Sequence, residues 1–140
     1  MANIGIDFDG SCVTHEYPNI GKDIGAIPVL KELVANGHFL ILNTMRFHKE
    51  YYDMNDGFPD TLNDAVRWFD NNHVDLYGIN RNPTQHTWTT SPKVYADYYI
   101  DDAAIGCPLK IDKSYSHKPF IDWVVMRELL VKAGLIKIIK

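Results

Sequence analysis

Apolar residues gather in short uninterrupted runs at Ile4-Gly5-Ile6 and Phe39-Leu40-Ile41-Leu42, each followed at once by polar or acidic residues. Continuous rather than alternating apolar runs mark strands of a parallel sheet buried on both faces. Between them Ala26, Ile27, Leu30, Leu33 and Val34 recur at helical spacing and Gly37 offers a C-terminal cap, so this stretch predicts one βαβ unit. A second helix is predicted over Thr61 to Asn71, with Thr61 and Asp64 as a capping box and Leu62, Ala65, Val66 and Phe69 as its inward stripe. Val74 to Ile79 reads as a weak strand and Tyr98-Tyr99-Ile100 as a further one. A last helix is expected from Pro119, with Ile121, Val124, Val125 and Leu129 inward and Gly134 at its end. Trp68, Phe69 and Trp123 read as core. Strands alternating with helices predict an α/β domain around an open, mostly parallel sheet, in which ligands bind outside the carboxyl ends of the strands.

With 140 residues, 46% of them apolar, the chain suits a single domain over residues 1–140. Its net charge of −4 and scattered acids leave no basic stripe for a nucleic acid and no polybasic patch for a membrane. No apolar run approaches the roughly 20 residues that span a bilayer and no basic leader opens the chain, so a cytoplasmic protein is expected. Cys12 and Cys107 lack metal-ligand spacing and are expected to be reduced and partly buried; the six histidines show no such spacing either. Two long loops, Ser11 to Asp23 and Asn80 to Pro92, stand out as functional candidates.

The chemistry concentrates at Asp7-Phe8-Asp9-Gly10-Ser11, directly after the first apolar run. If strand geometry persists, Asp7 and Asp9 point the same way, and Gly10 lets the chain turn sharply after them. Crowded carboxylates resist joint ionisation unless a cation neutralises them, and Mg2+ prefers oxygen ligands completed by substrate phosphate. A solvated, Asp-rich turn is the plainer reading of this segment alone. A second acid pair, Asp101-Asp102, closes the strand at 98–100, and Thr44 follows the second strand, so all of these belong to one sheet edge.

These residues resemble the haloacid dehalogenase-like hydrolases, whose four motifs occur in order: D-F-D-G-S at 7–11, L-N-T-M-R ending the second strand with Thr44, Lys93, and Y-I-D-D at 99–102. The segment K-V-Y-A-D-Y-Y-I-D-D is similar to small capless members with a K-x-x-A-D-x-Y-I-D-D pattern, although Ala103 stands where Arg often follows. The resemblance implies a three-layer α/β/α, Rossmann-like domain without a cap, and a Mg2+-dependent phosphatase. It makes Asp7 the nucleophile that forms an aspartyl-phosphate and Asp9 the general acid/base. Thr44 and Lys93 would steady the phosphoryl group, and Asp101 and Asp102 would hold Mg2+ with Asp7 and the backbone carbonyl of Asp9. Ser11 and Arg46 are expected to contact substrate, a phosphorylated small molecule; Lys110 breaks the motif order and is the weaker lysine. His15 and Glu16 fall where the family carries a mobile flap, and are equally open to substrate or water. The alternative is a phosphate- or metal-binding regulatory domain of the same fold that does not turn over.

Overall fold

A computed structural model describes residues 1–49 and 57–138. In chain order it contains β1 (Asn3–Ile6), α1 (Ala26–Ala35), β2 (Phe39–Leu42), α2 (Thr61–Asn71), β3 (Gly78–Ile79), β4 (Tyr98–Ile100), β5 (Leu109–Lys110), β6 (Phe120–Ile121) and α3 (Trp123–Lys132), with a 3-10 turn at Gln85–Thr87. β1 is central: it pairs in parallel with β2 on one side and β4 on the other, and β3 adds beyond β2, giving the order β3-β2-β1-β4. The register sets Ile6 beside Leu42 and Ile100, so the three strands that carry candidate residues end level with one another. The architecture is α/β, consistent with a Rossmann-like α/β/α fold, and no cap is present among the described residues.

The alternation of side chains explains how the sheet is covered. Ile4, Ile6, Leu40, Leu42 and Ile100 face one core with Leu30, Leu33, Leu62, Phe69, Trp123 and Met126 from the three helices. Fully burying an aliphatic side chain of this kind contributes about 1.5–3 kcal/mol, which is what holds these short strands in one sheet. On the other face the segment around Asn82 to Tyr95 is tied down by buried Gln85, whose side chain donates to the Ser91 and Lys93 carbonyls and accepts from Tyr95 N–H. Gly5 is needed there because a Cβ would press on the Tyr99 ring.

The elements depart from expectation at three places. The weak strand shrinks to Gly78–Ile79, because Val74 N–H closes the end of α2 on Phe69 O, His73 and Asn80 both take positive φ, and only two residues remain to meet β2. Helix α2 is capped by Asp60, which accepts from Asn63 N–H, so the box sits one residue earlier than Thr61. Helix α3 begins at Trp123 and not near Pro119: Phe120 and Ile121 are drawn into an antiparallel pair with β5, and Asp122 caps the helix through Val124 and Val125 N–H. Its inward residues are therefore Trp123, Met126 and Leu130, whereas Val124 and Leu129 are exposed. Among the described residues no helix is long and apolar enough to cross a membrane.

Candidate active site

Asp7 lies one residue beyond β1, yet its N–H still bonds to Ile100 O, so the ladder carries it to the end of β4. Phe8 turns inward, fully buried against the Trp68 and Phe69 rings, and this anchors the chain between the two acids. Gly10 then adopts φ 84°, and a Cβ there would collide with His15 Nε2 and Asp102 Oδ2. The turn is held from below: Trp123 Nε1 donates to Ser11 O and Ile121 N–H donates to Gly10 O.

Asp101 and Asp102 leave the end of β4 beside Asp7, and one carboxylate oxygen from each of the three lies within 4.8 Å of the others. Burial above all, then the neighbouring carboxyls of Asp102 and Asp101, push the Asp7 carboxyl up to about 8, against a smaller opposing effect of the Ser11 hydrogen bond. The fully buried Ser11 hydroxyl sits among them, 3.0 Å from Asp7 Oδ2 and 3.2 Å from Asp102 Oδ1, and accepts from Asp102 N–H. His15 Nε2 is 2.8 Å from Asp102 Oδ2. These three carboxylates could hold a metal ion, which would offset the burial and the mutual crowding that disfavour the charged form of Asp7.

Asp9 does not join this trio. Both its oxygens face Arg46, with Nε to Oδ2 at 2.9 Å and Nη2 to Oδ1 at 2.8 Å. Arg46 is 2% exposed, and its remaining N–H groups donate to the carbonyls of Pro18, Asn19 and Thr61 while its guanidinium lies over the Phe8 and Tyr17 rings. Thr44 causes this inward turn: its Oγ1 accepts from Arg46 N–H, which folds the chain back under the edge of the sheet. Ser11 and Arg46, expected at the substrate, thus both lie inside the protein with their polar groups occupied by it.

Thr44 itself stays half-buried at the end of β2, where the side chain of Asn80 accepts from its N–H. Lys93 lines a cleft of about 430 Å³ with Asn43, Tyr99, Asp101 and Ala103. Its Nζ is 5.3 Å from the centre of the Tyr99 ring, and among the described residues it makes no ion pair with Asp7. Lys110 borders a different cleft, with Asp112, Tyr115 and Trp123. Of His15 and Glu16, the first enters the acidic cluster and the second accepts from the Thr14 hydroxyl. Cys12 is buried and Cys107 half-buried, both free; burial first, then the nearby aspartates, push both thiols up, Cys107 to about 11, which suppresses any thiolate nucleophile.

Sequence reading overlooked Asn80, which orients Thr44, and the pairing of Arg46 with Asp9. The first has a local signal in its positive φ preference within a strand-ending turn; the second has none, since the two residues are far apart along the chain.

No protein-family model matches the chain, and no curated protein does. A solved structure described as a conserved protein from Bacteroides thetaiotaomicron is similar to it at 29% identity and a TM-score of 0.68, covering 95% of this chain and 91% of that one.

Proposed function

We propose that this protein is a Mg2+-dependent phosphatase of the haloacid dehalogenase-like type, acting on a phosphorylated small molecule through an aspartyl-phosphate on Asp7. The observation that carries the reading is the meeting of Asp7, Asp101 and Asp102 at the carboxyl edge of two adjacent parallel strands, with Thr44 and Lys93 on the same edge. Bound Mg2+ would neutralise the crowded carboxylates and draw charge from the phosphoryl oxygens.

Asp7 supplies the nucleophilic oxygen, and its backbone bond to Ile100 fixes the main chain that carries it at the end of the ladder. Ser11 donates its one hydroxyl proton within the cluster and so holds Asp7 and Asp102 in place. Thr44 retains a hydroxyl proton for a phosphoryl oxygen, since the bond from Arg46 N–H uses its acceptor side. Lys93, in the cleft beside Asp101, meets the negative charge of the incoming phosphate. Asp9 is the group two residues on that exchanges a proton with the leaving oxygen or with water.

The test is release of inorganic phosphate from an aryl phosphate with Mg2+, with EDTA, and in the Asp7→Asn variant. Turnover that requires the cation and disappears in the variant is expected. A folded, cation-loaded wild type that releases no phosphate from any ester or acyl phosphate overturns the reading in favour of a binding domain.

A further inference from the structure

The geometry points to Tyr99 as a positioning residue: its ring holds the Lys93 ammonium beside the carboxylate trio and not in it, which leaves Asp7, Asp101 and Asp102 open to a divalent cation. This role rests on the phosphatase reading only through its cation site and can be measured without turnover.

Lys93 is tied down at its main chain. Its N–H donates to Ser91 Oγ at 3.2 Å and its carbonyl accepts from the buried Gln85 side chain at 2.6 Å, so the side chain is the part that can move. That side chain lines the same cleft as Asp101. A long, flexible ammonium beside three crowded carboxylates is drawn towards them. Among the described residues it nevertheless forms no ion pair, and its Nζ lies over the Tyr99 ring, 5.3 Å from the centre.

The ring is held in its turn. The Tyr99 hydroxyl donates to the carbonyl of Val94, the residue after Lys93, and the ring lies against β1, where a Cβ on Gly5 would stand 3.0 Å from its Cδ1. Tyr99 also precedes Asp101 by two residues, so one strand end carries both the ring that holds the ammonium and an acid that attracts it. The contest between them is close. At exposed positions a cation over a ring face is favoured by about two- to fivefold over a free one, and an ion pair is worth no more. With the ring gone the ammonium moves onto the acids, where it competes with a metal cation for the same oxygens. With the ring present it stays in the cleft, within reach of an incoming phosphate.

The experiment measures the Mg2+ dissociation constant from the rise of the urea midpoint with Mg2+ concentration at constant ionic strength. Wild type, Tyr99→Phe, Tyr99→Leu and the double variant Tyr99→Leu with Lys93→Met are compared. Tyr99→Leu should bind Mg2+ about threefold more weakly, and Tyr99→Phe, which keeps the ring face, as the wild type does. Adding Lys93→Met to Tyr99→Leu should restore the affinity, a rescue that damage to β4 alone does not allow. Unchanged affinity in Tyr99→Leu, or a loss that Lys93→Met does not repair, overturns the role of Tyr99 and leaves the cation site standing. A wild type that binds no Mg2+ overturns the cation site, the phosphatase reading and this role together. If Tyr99→Leu does not fold, Lys93→Met alone decides. A lysine held on the ring predicts a gain in Mg2+ affinity of no more than about twofold, and a larger gain places the ammonium in the trio already and overturns the role.

Discussion

Replacing Asp7 by Asn isolates the electrostatic strain of the carboxylate trio. In the cation-free protein the Asp7 carboxyl moves from its ordinary 3.8 to about 8, chiefly through burial and then through Asp102 and Asp101. Below pH 4 both folded and unfolded chains carry the proton and nothing is lost. As pH rises the unfolded chain gives up that proton while the folded site retains it, so stability falls through the window from about 4 to 8 and stays low above it. At about 1.4 kcal/mol per pH unit, the gap amounts to roughly 6 kcal/mol in all and roughly 4 kcal/mol by pH 7. Asn has the shape of the protonated acid and does not titrate, so the stability of Asp7→Asn relative to wild type should climb by roughly 4 kcal/mol between pH 4 and pH 7. For a chain of 140 residues that corresponds to a gap in Tm on the order of 10 °C. The assay is urea unfolding of both proteins in EDTA at four pH values across this window. Millimolar Mg2+ should then raise the wild-type curve towards the variant and leave the variant unmoved. A difference between the two proteins that stays constant from pH 4 to pH 8 would refute the reasoning.

Other perturbations test the scaffold around the trio. Arg46→Met leaves Asp9 and three carbonyls without their donor and should destabilise the fold by about 3–5 kcal/mol in urea titration; combining it with Asp9→Asn should recover part of that loss in a double-mutant cycle. Gly10→Ala meets a left-handed backbone and collides with His15 and Asp102, so it should lose at least about 2 kcal/mol by the same measurement and abolish stabilisation by divalent cations. Asp122→Ala removes the cap of α3 and should lower stability by about 1 kcal/mol. The solvent-exposed Arg127 to Glu32 pair contributes little, and whatever effect Arg127→Ala has on urea unfolding should fade in molar salt.

The chain alone determined the parallel sheet, because Ile4 to Ile6 and Phe39 to Leu42 are apolar without interruption and only a strand covered on both faces needs that. It also placed Asp7, Thr44, Asp101 and Asp102 on one edge, since each directly follows a strand and parallel strands end together. The short-range rules failed where long-range contacts compete with them: Phe120 and Ile121 join β5 before the helix can begin, and Val74 closes α2 before it can extend β3. Only the tertiary structure decided which partners each acid meets. Asp7 and Asp9 are two residues apart and chemically alike, yet the ladder turns one towards Asp101 and Asp102 while Arg46, brought in by the turn at Thr44, takes the other. Local sequence carries no record of that division, because it is set by burial and by partners distant along the chain, and these exist only once the sheet has formed.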